Sequence, residues 1–337
     1  MSCDYGPYLQ AVEDELRRLL TAPSAGLGPL YSMMAYHLGW VNAQARPVMA
    51  DTGKRVRPLL CLLCCQAAGG EWQKAVPVAA SLELIHNFSL IHDDIEDNSP
   101  TRRGRATVWA TWGLAHGINA GDTMLMLARL ASGGLRDHAV DPATTLAAMG
   151  LLDQACLRLC QGQYLDIAGE GCLDLSEETY LEMIGGKTAS LLATSTQLGA
   201  LIGAGTKTEL YRQFGWHLGM AFQMVDDLLG IWGDPAVTGK SAADDIRSRK
   251  MTLPVIHTLR GPAGRRLAAL YRKSALGDEN VAQAVAILDE VRAQAYVQQL
   301  AAQHEAAALA ALDAAGPCPP AAGYLLELAS SLTVRRK

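Results

Sequence analysis

Two aspartate-rich stretches carry most of the chemistry this sequence offers. The first is Leu90-Ile-His-Asp93-Asp94-Ile-Glu-Asp97, and the second runs from Phe222-Gln-Met-Val-Asp226-Asp227 to Asp234. On a helix, Asp93, Asp94 and Asp97 fall at roughly 0, 100 and 40 degrees around the axis, so the three carboxylates share one face. The residues before them (Leu82, Leu84, Ile85, Phe88, Leu90, Ile91) are apolar on several sides, which predicts a largely buried helix. Grouped carboxylates on a buried helix repel one another and lose hydration. A multivalent cation relieves both costs. Oxygen donors without His or Cys favour a hard ion, Mg²⁺ above all.

Clusters of cations accompany these acids: Gly53-Lys54-Arg55-Val56-Arg57-Pro58, Arg102-Arg103-Gly104-Arg105, Gly186-Lys187-Thr188, Gly239-Lys240, and Arg247 to Lys250 before Thr252-Leu-Pro254. Any one alone is more often a solubilising face than a site. Carboxylate-held Mg²⁺ ringed by Lys and Arg instead describes a pocket for phosphoester oxygens. No Gly-x-x-x-x-Gly-Lys-Ser/Thr run and no Gly-x-Gly-x-x-Gly is present, which disfavours the usual nucleotide cradles. The surrounding segments are rich in Leu, Ile, Met and Ala. The chemistry expected is therefore recognition of a diphosphate head with a hydrocarbon tail.

The elements that must position these residues read as helices. Periodicity is helical nearly throughout, and the nearest approach to a strand is Thr107-Val-Trp-Ala-Thr-Trp112. Asp141-Pro142 and Ser176-Glu177-Glu178 carry helix-start signals, and Asn280 to Leu312 is rich in strong helix formers. Breaks are expected at Ala22–Pro29, Ala204–Thr208, Gly261–Gly264 and Gly316–Pro320. With 337 residues, half of them apolar and 19% charged, the chain has ample core and is not a disordered protein. Twenty-nine basic against 34 acidic residues, a net charge of -5, give no reason to expect nucleic acid as a partner. Cys61, Cys64 and Cys65 lie in an apolar helical segment and read as buried thiols, not zinc ligands. No secretory signal and no membrane span are read, so a reducing, cytoplasmic setting is expected. The expected architecture is all-α: one domain over residues 1–337, a helical bundle around a central apolar cavity, with its motif-bearing core at about 50–260.

In these motifs the sequence resembles the trans-isoprenyl diphosphate (polyprenyl) synthases, and is closest in pattern to geranylgeranyl diphosphate synthases. The Gly-Lys-Arg-x-Arg-Pro element at Gly53, Asp93-Asp94-Ile-Glu-Asp97 with Arg102-Arg103-Gly104 after it, Gly162-Gln163-Tyr-Leu-Asp166, Phe222-Gln-x-x-Asp-Asp and Thr252-Leu-Pro254 follow in the family's order. The resemblance implies head-to-tail prenyl transfer. An allylic diphosphate ionises, isopentenyl diphosphate attacks the carbocation, and a proton leaves. About three Mg²⁺ per site are implied, with Mn²⁺ as a substitute. Asp93, Asp97 and Asp226 would ligate them, with Asp94 and Asp227 in support. Lys187, Thr188, Gln223 and Lys240 are implied as catalytic, and with Arg102 and Lys250 they would hold the allylic diphosphate. Lys54, Arg57, His86 and Arg103 would hold isopentenyl diphosphate. A homodimer is implied, with the helix near Asn119 and Asp122 facing the partner.

The same resemblance places a chain-length floor at Phe88 and Ser89, five and four residues before Asp93, and so implies a C20 product, with C15 next and longer chains third. One position departs from the pattern: Gly230 stands where the second motif has its last aspartate, leaving that carboxylate's share of the metal shell to water or to Asp234. A class I terpene cyclase would replace the second acidic cluster with an Asn/Asp-x-x-Ser/Thr-x-x-x-Glu element, which is missing near Asp226. A non-catalytic partner subunit has only Gly230 in its favour. The tail Val334-Arg335-Arg336-Lys337 resembles a basic terminus that closes the isopentenyl site in some relatives, although a solvated end is the plainer expectation.

Overall fold

A computed structural model of the chain describes residues 4–48, 50–51, 53–234 and 243–333. Lys240 and the 334–337 tail, both singled out above, lie outside the described residues. The chain is all-α apart from one two-stranded hairpin among the described residues. It divides into two compact units. The first comprises 1–154, 195–208 and 317–324, and the second 155–194, 209–316 and 325–337.

In the first unit the aspartate helix is Val76–Glu96, and its residues from Val76 to Ile85 are all buried. Its C-terminal turns rest on the Leu114–Gly133 helix at two glycines. A Cβ at Gly117 would lie 2.9 Å from Ile95 Cδ1, and one at Gly121 would lie 2.2 Å from His92 Nε2. Only bare backbone at these two positions, one helical turn apart, lets the helix bearing Asp93 come this close. The Val56–Ala67 helix uses the same device. Cys61, Cys64 and Cys65 are 0% exposed, and Cβ atoms at Gly199 and Gly203 would fall 2.2 Å and 2.4 Å from the Cys61 and Cys65 carbonyl oxygens. The thiols are small hydrophobes in a tight helix contact, as read from the sequence.

The segment nearest to strand-like alternation is helical. Val108–Trp112 is a short helix, and the strands are Thr101–Arg102 and Arg105–Ala106. Arg103 (φ 51) and Gly104 (φ 69) form the turn, the positive-φ pair that matches the twist of a two-residue hairpin. Arg105 fixes this hairpin by donating to the carbonyls of Tyr36 (3.1 Å) and Val41 (2.7 Å).

The second unit carries the other acidic cluster near the end of the Thr208–Trp232 helix. Gly219 brings this helix against the preceding segment, since its Cβ would lie 2.6 Å from Ala189 Cα. That segment, Gly185–Ala189, is a single π-helical turn following the Glu177–Ile184 helix. Such wide turns recur at functional sites, and this one holds Lys187 and Thr188. Gly162 abuts it, with a Cβ position 2.2 Å from Lys187 N. Both expected helix starts are capped: Asp141 Oδ1 accepts from Ala143 and Thr144 N–H at 3.0 Å, and Ser176 Oγ from Thr179 N–H at 2.9 Å. The helix-rich stretch from Asn280 to Leu312 is two helices, Asp278–Glu290 and Ala293–Ala315, parted at Arg292 (φ 56).

Candidate active site

In the first unit a pocket is lined by Tyr36, His37, Asp51, Asp94, Arg102 and Arg103, among others. Asp94 is 1% exposed, and its Oδ1 accepts from Arg102 Nε at 2.8 Å. Burial raises its pKa and Arg102 opposes the rise. Asp93 is half-buried, and Asp97 is exposed at the helix C-terminus. Arg103 lays its guanidinium on the bare backbone of Gly53, whose Cβ would lie 2.8 Å from Nη2. Lys54 is exposed beside it. Arg57 is desolvated enough to bring its pKa down to about 10 against the pull of Glu83, and its Nε is buried with no hydrogen-bond partner. His86 is pushed well below the ordinary histidine range, first by burial, then by Arg57, Arg103 and Arg102. Arg57, His86, Arg102 and Arg103 thus share one electropositive neighbourhood. The intervening Arg55 is spent on structure: its guanidinium pairs with buried Glu83 at 2.7 Å, and Asn87 Nδ2 donates to the same Glu83 oxygen at 2.7 Å. Phe88 and Ser89 are buried on the aspartate helix.

In the second unit Thr188 Oγ1 donates to Gln223 Oε1 (2.8 Å), and Gln223 Nε2 donates to Asp227 Oδ1 (3.1 Å). Asp227 Oδ2 accepts from the Tyr180 hydroxyl and from Leu253 N–H at 3.3 Å. Asp227 is 3% exposed. Burial raises its pKa to about 6, with Lys250, Tyr180 and Gln223 pulling the other way. Lys187 Nζ reaches Asp166 Oδ2 at 2.6 Å. Desolvation works against the Lys250 ammonium, but Asp227, Asp245, Asp166 and Asp226 together raise its pKa. This unit therefore gathers Asp166, Thr188, Lys187, Gln223, Asp226, Asp227 and Lys250 around one charge cluster.

A hard cation fits the donors present. Asp94 Oδ2 is buried and has no hydrogen-bond partner, so a carboxylate oxygen is left over in a pocket that Arg102, Arg103 and Arg105 line. Among the described residues no three His, Cys, Asp or Glu side chains converge on one cation position. Mg²⁺ characteristically takes one or two carboxylates and completes its shell with water and phosphate oxygens.

Three residues of these clusters escape sequence reasoning. His37 lines the first pocket with its Nε2 buried and unpartnered, and a lone histidine in Tyr36-His-Leu carries no signal. Tyr180 meets Asp227 from 47 residues away. Asp245 enters the Lys250 cluster from the short Asp244–Arg247 helix, and its only sequence cue is nearness to Lys250.

Known proteins resemble this chain over most of its length. The model of the polyprenyl synthetase family matches residues 39–288. A geranylgeranyl diphosphate synthase of Mycobacterium tuberculosis is 39% identical over 314 residues, covering 92% of this chain and 86% of the relative. A (2E,6E)-farnesyl diphosphate synthase of Mycobacterium bovis is 44% identical over 245 residues, 70% of this chain, and the match spans 66% of that relative's length. The crystal structure of a polyprenyl synthetase from Streptomyces coelicolor A3(2) superposes with a TM-score of 0.89 at 35% identity, over 97% of this chain and 98% of that one. Among the described residues no helix is long and apolar enough to cross a membrane. From its aspartate motifs, its helical architecture and these matches, the chain belongs to the polyprenyl synthetase family.

Proposed function

We propose that this chain is a Mg²⁺-dependent trans-prenyltransferase that condenses isopentenyl diphosphate with allylic diphosphates to a short all-trans product, chiefly geranylgeranyl diphosphate. The observation that carries this reading is the first-unit neighbourhood, where Arg102 and Arg103 line a pocket with Asp94 and, with Arg57, act on the buried His86. Cations and a carboxylate with a spare buried oxygen suit a metal-bridged diphosphate and little else. The C20 product is supported by Phe88, 4% exposed and roughly 7.5 Å along the helix from Asp93. It is supported as well by relatives named for geranylgeranyl diphosphate, while the relatives named for farnesyl diphosphate favour C15 as the second reading.

In this reading Asp93, Asp97 and Asp226 hold about three Mg²⁺, and Mn²⁺ can replace them. When bound, Mg²⁺ neutralises the charge that builds on the departing diphosphate oxygens. Arg102, Lys187, Thr188, Gln223, Lys240 and Lys250 hold the allylic diphosphate. Thr188 and Gln223 are oriented by the hydrogen-bond chain that ends on Asp227, so Asp227 positions donors instead of meeting the metal directly. Lys54, Arg57, His86 and Arg103 hold isopentenyl diphosphate. His86, kept neutral by burial and then by its cationic neighbours, offers an N–H and no charge. The buried aliphatic side chains exclude water, which would quench the carbocation.

The whole chain acts as one domain and pairs as a homodimer. The Leu114–Gly133 helix exposes Leu114 (55%), Ile118, Met126 and Leu130 (72%), an apolar surface that a second copy would cover. The fully buried Cys61, Cys64 and Cys65 thiols suit a reducing cytoplasm. Replacing Phe88 with Ala tests the product assignment: the main product lengthens by at least one isoprene unit, and an unchanged distribution contradicts Phe88 as the floor.

A further inference from the structure

Two histidines that the site described above does not use meet in the second unit. His217 stands on the Thr208–Trp232 helix and His304 on the Ala293–Ala315 helix. Their Nδ1 atoms are 2.9 Å apart and their ring centroids 5.1 Å, with the ring planes at 42°. Eighty-seven positions separate them along the chain, so no local spacing announces the pair. Phe214 and Leu218 beside His217, and Ala301 and Ala308 beside His304, are buried. The rings themselves are half-buried, which combines fixed helices with access to solutes. Burial lowers the pKa of both, with Arg212 adding to it at His217 and His217 at His304. Two neutral rings in such a contact share one proton, and each Nδ1 otherwise offers a lone pair toward the same place.

The geometry points to a two-histidine site for a borderline divalent cation, Zn²⁺ or its neighbours Ni²⁺ and Cu²⁺, between these helices. These ions favour imidazole nitrogen, and Mg²⁺ does not, so the site differs in kind from the aspartate clusters. Zn–N bonds of about 2.0–2.1 Å at a tetrahedral angle put two ligating nitrogens about 3.3 Å apart. From their 2.9 Å contact, the two Nδ1 atoms need part by only about 0.4 Å to span such an ion. On binding, the ring that donates its Nδ1–H takes the proton at its own Nε2 instead. Both Nδ1 lone pairs then face the ion, and no net proton is released. Among the described residues no third His, Cys, Asp or Glu completes a set of three, and Glu305, next to His304, is engaged by the Thr333 hydroxyl at 2.6 Å. Water fills the remaining positions, the open arrangement of a reversible site and not the closed one of a structural zinc. A bound ion braces the helix that carries Asp226 and Asp227 against the Ala293–Ala315 helix. The inference uses no residue of the prenyl-transfer site and stands apart from that reading.

The test is calorimetric titration of the full chain with Zn²⁺ in a large excess of Mg²⁺, which keeps the aspartate clusters out of the signal. Zn²⁺ taken up by exposed thiols such as Cys172 and Cys318 is common to every variant and cancels in the comparison. His217→Asn and His304→Asn each leave a single imidazole. Even the outer partners of metal ligands are worth about 10- to 100-fold in affinity, so loss of a direct ligand is expected to weaken this site by about tenfold or more. Thermal melts without Zn²⁺ check that both variants fold. Zinc-edge anomalous diffraction from crystals of the unaltered chain is the second reading and needs no variant: a peak is expected between the two Nδ1 atoms. A pair that merely packs the helices together would give neither result. Zn²⁺ isotherms that are the same in wild type and both variants overturn the inference, as does the lack of an anomalous peak at the pair.

Discussion

His37 shows how the site's electrostatics reach into stability. Burial, then Arg102, Arg103 and Arg55, bring its pKa from 6.5 down to about 3, against a hydrogen bond to Asn87. Asn87 spends both amide hydrogens on Glu83, and His37 Nε2 is buried without a hydrogen-bond partner. The unfolded chain takes a proton near pH 6.5 and the folded chain does not until about 3. The unfolded state therefore binds more protons in that window. The stability contributed is complete above pH 6.5 and is lost as pH falls toward 3. Urea unfolding at pH 7 and pH 5 should show a loss of about 1–2 kcal/mol from this residue, and His37→Asn should flatten the slope by that amount. An unchanged slope would mean that the ring meets water. Asp93, Asp94, Asp97, Asp226 and Asp227 were legible in the sequence because carboxylates at helical spacing inside an apolar segment need an explanation. His37, Tyr180 and Asp245 were not, because each acquires its meaning only from partners distant along the chain.

At the scale of elements, glycine sets how closely the functional helices approach. Gly117 and Gly121 seat Ile95 and His92 on either side of Asp93 and Asp94, and the Phe88 ring meets His92 edge to face at 5.8 Å. Gly121→Ala would drive a methyl into an imidazole that is already packed. Overpacking of this kind costs about 1–3 kcal/mol, to be read as a lower urea midpoint with an unchanged slope. A variant as stable as wild type would show that the two helices can part without penalty. Helices and their caps at Asp141 and Ser176 follow from local sequence. The Arg103-Gly104 hairpin turn and the π-helical turn at Gly185–Ala189 do not. The former lacks the usual Asn-Gly or Asp-Gly pair. The latter is set by Gly162 and Gly219 pressing on it from other helices.

For the whole molecule, the exposed leucines and methionine of the Leu114–Gly133 helix are among the large apolar side chains that a single copy leaves uncovered. A charge at Leu130, 72% exposed, should cost the isolated chain little, since isolated surface changes stay within about 0.5 kcal/mol. Leu130→Glu should nevertheless convert a dimer to a monomer in sedimentation analysis. An unchanged sedimentation coefficient would place the interface elsewhere. The all-α class was readable from helical periodicity, and the family from the resemblance that its ordered motifs carry, whereas the division into two compact units was not readable, since no linker or change of composition marks it.

The most direct test of the central claim uses the purified full chain alone, with Mg²⁺, isopentenyl diphosphate and each short allylic diphosphate, the products being dephosphorylated and sized. Chain elongation ending chiefly at C20 is predicted, with turnover falling by about 10²-fold or more once divalent ions are chelated, as expected when charge stabilisation of the leaving group is removed. No elongated product from any allylic substrate, or full turnover under chelation, would contradict the account.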